Sequence, residues 1–479
     1  MSAWARPTRV VACGLLACAI ACDRGPSTAD TTPEPKREAK TDAKADAKAD
    51  AKADAKADAK VDAKDCPSWA TLDVATLPPL PDSPFAATLD EVWRRVLEKH
   101  YDPTLGCRDW PALRSQYGDE LVGVDDRAQA YGIVNAMLHE LGQSHFRLFP
   151  PQRADDDQPV GSAVPRVQVR WIEDRLVVVQ SSAKGKTGDV PTGAILLAVE
   201  DQPLVATIDR IKARTERPSE FAFEIARATQ ARLSCEHAGD HRKVRIGDPK
   251  HGDKEVVRML TCEEPEGELV TLGNLENLPT RVEHRMVAGT TIGVLAFNIW
   301  MLPMVQRVEA AMADLRKQGM TALVLDLRGN PGGVGAMSVP VARLLLAQSG
   351  SLGTLRFRDF EQEFKVEGNA DAFTGDVAVL VDEGTASTSE IFAAGLHDLG
   401  RITVVGGRAS AGAALPSVIE ELTGGAVLQY VVGDYSSPKG TIVEGTGVVP
   451  DVLVPETRAD FAAGRDPVLE AAIAHLRKG

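Results

Sequence analysis

The sequence predicts an α/β protein whose core is its C-terminal part, preceded by a small helical region and a β-rich region. Three observations predict it. From residue 288 onward, runs of four to six aliphatic residues such as Val377-Ala378-Val379-Leu380-Val381 alternate with three-turn amphipathic stretches, the pattern of parallel strands joined by helices. Between 86 and 150 the apolar residues recur at helical spacing instead. Between 157 and 262 short β-branched runs are broken by Gly, Asp and Pro, which reads as strands and turns. The 479 residues allow about three domains at roughly 150 residues each and can bury a large core. With 54 Lys+Arg against 68 Asp+Glu, the net charge of -14 repels phosphate backbones, and no basic patch offsets it. Nucleic acid is therefore excluded as a default partner. The 41 glycines and 29 prolines are ordinary for this length and exclude collagen-like or wholly disordered chains.

At the N-terminus, Arg6 and Arg9 precede an apolar stretch over 10–21, too short for an ordinary membrane span, which predicts an export signal over 1–22. Ala19-Ile20-Ala21-Cys22 resembles a bacterial lipobox, with Leu15-Leu16-Ala17-Cys18 as a rival. The expectation is an exported protein of the bacterial cell envelope, lipid-anchored through Cys22 on the periplasmic or outer-membrane side, with plain secretion as the alternative. No later run reaches 18 apolar residues, so this lipid is the only membrane attachment the sequence offers. Residues 23–65 are low-complexity, built on Asp-Ala-Lys-Ala, with eleven acidic against ten basic side chains. Its four-residue period stacks like charges at i, i+4 and works against helix, so it reads as a disordered linker spanning roughly 35–40 Å. The net negative charge consequently belongs to the folded body.

Beyond the signal stand Cys66, Cys107, Cys235 and Cys262, which in an exported protein suggest two disulfides with three possible connectivities. Cys235 and Cys262 bracket Lys243-Val244-Arg245-Ile246 and Val256-Val257-Arg258-Met259, a hairpin whose ends a bridge could close. The favoured pairing is Cys235–Cys262 with Cys66–Cys107. Tight Cys-x-x-Cys spacing is missing, so zinc is not expected.

The helical region, 66–156, carries one stripe of Leu89, Val92, Trp93, Val96 and Leu97 and another of Ala128, Ile133, Val134, Met137, Leu138 and Leu141. The second helix should stop at Gly142, placing His145 just past a helix end, where a lone histidine is ordinarily a surface or capping residue. The β-rich region, 157–262, opens with strands over 167–171 and 176–179. It continues through Gly188-Asp189 and Ala194-Ile195-Leu196-Leu197-Ala198-Val199-Glu200-Asp201-Gln202-Pro203 to a short helix over 208–214, which resembles the middle of a PDZ domain. Such modules add a peptide to a sheet edge, but a Gly-Leu-Gly-Phe carboxylate loop is lacking, and a β-rich insertion without a ligand is the alternative. In the core, 263–479, strands are expected over 291–297, 322–327, 377–381 and 402–405, and helices over 304–318, 336–346 and 387–399.

Two glycine-rich turns follow adjacent strands of this core: Asp326-Leu327-Arg328-Gly329-Asn330-Pro331-Gly332-Gly333 and Glu383-Gly384-Thr385-Ala386-Ser387-Thr388-Ser389-Glu390. Strand C-termini are where open α/β sheets build sites. Gly332 and Gly333 can present backbone N–H groups to an oxyanion, and Ser387 starts a helix whose dipole favours negative charge. By themselves these features fit a capping serine and a plain turn equally well.

These two segments, with Gly445-Thr446-Gly447-Val448-Val449-Pro450-Asp451, resemble the signature of the C-terminal processing and tricorn-core serine protease family. Val92-Trp93, Tyr101-Asp102, Asp109-Trp110 and Leu141-Gly142-Gln143-Ser144-His145 are similar to its helical entry segment, so the resemblance runs in order from about 86 to 457. It implies a crotonase-like (ClpP-like) α/β core with an inserted PDZ-like domain, a peptide or protein substrate, and neither metal nor other cofactor. It implies Ser387 as nucleophile, with an oxyanion hole from the N–H of Thr388 and that of Gly332 or Gly333. Where processing proteases carry a lysine base, this chain reads Gly406-Gly407-Arg408-Ala409-Ser410-Ala411-Gly412-Ala413-Ala414, without lysine. The tricorn-type arrangement remains, with His145 as base and Ser144 and Glu444 orienting it. His397 and Asp398 read as structural or solvent-facing, Asp326 and Arg328 as a pair holding the turn, Glu390 as a backbone partner, and Lys439 as an unmatched surface lysine. Two other functions stay open: a non-catalytic peptide- or ligand-binding lipoprotein on the same fold, and an esterase or acyltransferase.

Overall fold

In the computed structural model, residues 66–151, 163–183, 189–215, 217–272 and 275–478 are described, so the expected export signal and linker lie outside the described residues. The chain enters through helices α1 (Ala86–Lys99), α2 (Trp110–Glu120) and α3 (Arg127–His139) and strand β1 (Arg147–Phe149). The stripe Leu89, Val92, Trp93, Val96 and Leu97 is buried as its spacing predicts. Helix α2 was not anticipated, although Asp109 caps it and Pro111 sits in its first turn.

Strands β2 (Val167–Ile172), β3 (Arg175–Ser181), β4 (Ile195–Val199), the short β5 (Gln202–Pro203), β6 (His241–Asp248) and β7 (Lys254–Thr261) form an antiparallel sheet ordered β2-β3-β4-β6-β7, with β5 on β4. Helices α4 (Val205–Arg214) and α5 (Pro218–Leu233) lie between β5 and β6. The expected hairpin is β6–β7, and disulfides join Cys235 to Cys262 and Cys66 to Cys107. Helix α5 was missed, although Pro218 in its first turn and Phe221, Ala222, Ile225 and Leu233 on one face were legible.

After the hairpin β8 (Glu268–Leu272) and β9 (Leu275–Thr280), the core comprises β10 (Val282–Met286), β11 (Ile292–Phe297), α6 (Leu302–Lys317), β12 (Ala322–Asp326), α7 (Ser338–Arg343), β13 (Gly350–Phe357), β14 (Glu361–Val366), β15 (Val377–Val381), α8 (Thr388–Asp398) and β16 (Thr403–Gly406). It ends with β17 (Ser417–Glu421), β18 (Val427–Val431), β19 (Gly433–Ser436), β20 (Val452–Leu453), α9 (Arg458–Ala462) and α10 (Pro467–Leu476). The central sheet runs β10-β11-β12-β15-β16-β20, parallel except for β10. All five residues of β15 are buried because α6, α7 and α8 cover one face of the sheet and α10 the other. The helix expected over 336–346 is shorter: a 3-10 turn at Gly335–Met337 precedes α7, and 3-10-type bonds from Leu344 to Val341 and from Leu345 to Ala342 close it.

Two small antiparallel sheets, β14-β13-β19 and β1-β18-β17, flank the central one. Strand β1 pairs with β18, and Val418, Leu422, Leu428 and Tyr430 complete the core of α1–α3. The residues just before β1 are therefore fixed against the C-terminal half of the chain. No helix among the described residues is long and apolar enough to cross a membrane.

Candidate active site

Strands β12 and β15 are hydrogen-bonded neighbours, so the turns that follow them meet at one end of the sheet. Asn330, fully buried, ties them together: its carbonyl accepts from the Ala386 N–H (3.1 Å) and Ser389 Oγ (3.0 Å), and its Nδ2 donates to the Phe297 carbonyl (2.8 Å). Asp382 Oδ1 accepts from the Gly329 and Gly384 N–H groups at 2.8 and 2.9 Å. Arg328 forks onto Asp326, as expected, and also reaches Asp466.

Ser387 caps α8 with φ 54° and ψ −121°. A side-chain-bearing residue held there stores about 1–3 kcal/mol, which the surrounding bonds must offset. Its N–H donates to the Ala413 carbonyl (2.8 Å) and to Glu390 Oε2 (3.1 Å). Gly332 lies against it: a Cβ at 332, where φ is +98°, would fall 2.6 Å from Ser387 Cβ and 2.9 Å from the Thr388 nitrogen. Gly332 cannot be replaced without moving Ser387. The Gly332 N–H donates to Asn330 Oδ1 (3.0 Å), whereas no protein acceptor among the described residues takes the Gly333 or Thr388 N–H. Thr388 Oγ1 donates to the Gly333 carbonyl at 2.8 Å and fixes the two turns relative to each other.

His145, also at positive φ (62°), follows the end of α3 and precedes β1. Ser144 Oγ lies 2.7 Å from His145 Nδ1 and 3.0 Å from Glu444 Oε2, and the Ser144 N–H donates to Glu444 Oε1 (2.8 Å). A carboxylate only accepts, so the single Ser144 hydroxyl proton points to Glu444, and Ser144 Oγ accepts from Nδ1–H. That assigns the Nδ1–H tautomer and leaves Nε2 with its lone pair. Nε2 is buried and bonded to no described residue. Burial lowers the imidazole from 6.5 to about 4, so it is neutral at neutral pH. Burial pushes the Glu444 carboxyl up, while the amides of Ser144 and Ala414, the Ser144 hydroxyl and Arg217 pull it back.

The structure thus brings Ser144, His145 and Glu444 into direct contact, but no hydrogen bond joins Ser387 to His145. Their connection runs through one loop: the Ala413 carbonyl accepts the Ser387 N–H, and the next amide, Ala414 N–H, donates to Glu444 Oε2 (2.9 Å). Catalytic hydrogen bonds are often long or unmade before substrate arrives. Chemically, the arrangement offers a hydroxyl at a helix start, two backbone donors, and a neutral imidazole oriented by a carboxylate.

Several neighbours carried no assigned role in the sequence. Arg170, on β2, is buried and forks onto Glu383 (2.9 and 2.8 Å) and onto Glu456 (2.7 and 2.9 Å). Phe223 of α5 packs on Ala386, Ala411 and Ala413. Gln143 Oε1 accepts from His100 Nε2–H (2.8 Å), and burial keeps that histidine below its ordinary value. Arg170 and Phe223 stand in no motif and are recruited by distant elements, whereas Gln143 lies in the segment that carries Ser144 and His145. His397 pairs with Asp451 (2.9 Å), Asp398 accepts the Lys439 N–H (2.8 Å), and Arg408 donates to the Trp171 carbonyl (2.6 Å), so these serve the framework.

Residues 291–454 match the model of peptidase family S41. The chain is 25% identical over 375 residues to the carboxyl-terminal-processing protease of Synechocystis sp., covering 78% of this chain and 82% of that protein. It is 27% identical over 380 residues to the chloroplastic carboxyl-terminal-processing peptidase 3 of Arabidopsis thaliana, covering 76% and 68%. Among solved structures, it superposes on the photosystem II D1 C-terminal processing protease with a TM-score of 0.51 at 22% identity, covering 78% of this chain and 94% of that one. On mature CPAF the TM-score is 0.58 at 13% identity, covering 82% and 95%, and both likenesses speak to fold alone.

Proposed function

We propose that this chain is a serine peptidase of the C-terminal processing family, S41, and that it cleaves polypeptides through Ser387 with His145 as general base. His145 Nε2 takes the hydroxyl proton as Ser387 Oγ attacks the scissile carbonyl, and returns it to the leaving amine; water then releases the acyl-enzyme. Glu444, acting through Ser144, holds the imidazole and stabilises its cation. The developing oxyanion is received by the N–H of Thr388 and that of Gly333, with Gly332 shaping the turn. The observation that carries this reading is the chain Glu444–Ser144–His145, which ends on a buried Nε2 with no hydrogen-bond partner among the described residues. The position where family members carry a lysine base holds Arg408 and neighbours without lysine, which supports histidine in that role.

The core is read as crotonase-like, with 157–262 as a PDZ-like domain between a helical region, 66–156, and the protease core, 263–479. The substrate is read as a polypeptide or its tail, and the place of action as the cell envelope, with the chain exported and tethered by lipid at Cys22.

The test is incubation of the purified protein with a pool of unstructured polypeptides, beside Ser387→Ala and His145→Ala, with products read by mass spectrometry. Wild-type cutting with a loss of roughly 10³ or more in both variants is expected. Retained activity in His145→Ala would require another base. Binding without cutting by any form would favour a binding protein, and ester without peptide turnover an esterase or acyltransferase.

A further inference from the structure

Glu390 is fully buried in the first turn of α8, and four donors converge on its carboxylate. Oε1 accepts from Ser410 Oγ (2.5 Å) and the Gly412 N–H (2.8 Å); Oε2 accepts from the Ala413 N–H (2.9 Å) and the Ser387 N–H (3.1 Å). The next amide in that loop, Ala414, donates to Glu444 (2.9 Å). Two buried carboxylates therefore grip three consecutive amides, Glu390 on the Ser387 side and Glu444 on the His145 side. The same loop is sewn to the Glu444 segment by the Gly445 N–H to the Gly412 carbonyl (2.8 Å) and by the Val448 N–H to Ser410 Oγ (2.6 Å).

We propose that Glu390 is a positioning residue that, through the 410–414 loop, sets the placement of Ser387 relative to His145. It rests on the reading of Ser387 and His145 given above. The geometry demands a carboxylate: all four partners present hydrogens, and a carboxylate accepts on both oxygens without choice. An ordinary capping glutamate needs only the N–H of its own cap. This one makes three of its four bonds to a loop twenty or more residues away, and receives the N–H of the one residue in α8's approach held at positive φ.

Glu390→Gln turns an amide NH₂ toward one pair of donors. The Ser410 hydroxyl can rotate to accept beside the Val448 N–H it already takes, but the Gly412, Ala413 and Ser387 N–H groups cannot reverse, so an NH₂ on either side faces a donor. The experiment compares full-length wild type, Glu390→Gln, Ser410→Ala and Ser387→Ala on one peptide substrate. A fluorophosphonate label taken to completion counts competent molecules, and thermal unfolding checks the fold. The expected result for Glu390→Gln is a fall in kcat per labelled molecule of roughly thirtyfold or more, with KM within threefold, because Ser387 is displaced while the rest of the cleft is not. Ser410→Ala, which keeps the carboxylate but removes one of its donors and the acceptor of the Val448 N–H, is expected to lose about three- to tenfold in kcat and decides the matter if Glu390→Gln fails to fold. A kcat per labelled molecule within twofold of wild type in the folded variants overturns the inference, as does a loss matched by a smaller labelled fraction. Full turnover in Ser387→Ala instead overturns the underlying reading of Ser387.

Discussion

His145 holds its proton less tightly in the folded protein than in the unfolded chain, because burial lowers it from 6.5 to about 4. Between those two values the unfolded chain binds the additional proton, so stability is lost as pH falls through that window, by about 3 kcal/mol in total. Glu390 works in the opposite sense: burial raises it from 4.5 to about 7 against the pull of its loop donors, so stability is lost as pH rises through that range, and the kinetic comparison of Glu390→Gln belongs above it, where the carboxylate is formed. Comparing His145→Gln with wild type at each pH removes the Glu390 slope. The urea-unfolding difference between the two should be constant above pH 7 and move against wild type by about 3 kcal/mol at pH 4; a flat difference across the range would show that the imidazole is not desolvated. Gly332 makes a second claim at this scale. Gly332→Ala combines φ +98° with a Cβ 2.6 Å from Ser387 Cβ, so it should cost about 1–3 kcal/mol of stability and, under the proposed mechanism, most of the turnover. Normal kcat in Gly332→Ala would show that Ser387 does not need its present position.

At the scale of elements, the turn ahead of α8 is held by β2 of the neighbouring sheet. Arg170 is buried with Asp382, Glu383 and Glu456, and its guanidinium supplies the positive charge that lets Glu383 stay below the usual carboxylate range. Arg170→Met leaves three buried carboxyls around a neutral side chain, with Arg408 still 3.6 Å from Glu383 and Arg328 still acting on Asp382. A loss of about 3–5 kcal/mol is expected, read from the urea midpoint at constant m-value. Restoration by the double variant Arg170→Met, Glu383→Gln would identify the unpaired charge as the cause; a loss under about 1 kcal/mol would mean that water already reaches the cluster. Helix α5 has a parallel position, with Phe223 on Ala386, Ala411 and Ala413 and Phe221 edge-on to Trp171 of β2 at 5.0 Å. The β-rich sheet therefore touches the candidate site through two of its elements.

Over the whole molecule, two disulfides close segments of 41 and 27 residues, Cys66–Cys107 around α1 and Cys235–Cys262 around the β6–β7 hairpin. Chain entropy assigns each about 3–4 kcal/mol, so reductant should lower the unfolding temperature markedly. Unchanged melting in reductant, with all four thiols titrating in the unreduced protein, would remove both bridges. The Cys235–Cys262 bridge was legible because it joins the ends of a local hairpin, which leaves Cys66 and Cys107 as the remaining pair. The β1-β18-β17 sheet was not legible, since three-residue β1 acquires its strand character only from β18, some 280 residues later.

The sequence by itself determined the strands and helices over 291–327 and 377–406, the two glycine-rich turns, the absence of lysine from 406–414 and, through the family resemblance, Ser144, His145, Ser387 and Glu444 as candidates; strands β13 and β14 escaped it. Periodicity and turn chemistry are local, so spacing carries them. Only the tertiary structure decided that Glu444 reaches Ser144 across 300 residues, that Arg170 is drawn to Glu383, that Gly332 has spent its N–H on Asn330, and that Glu390 grips the 410–414 loop. Those contacts depend on which segments the sheet order makes neighbours. A buried polar group must find its partner wherever the fold places one, and that pairing leaves no period in the chain.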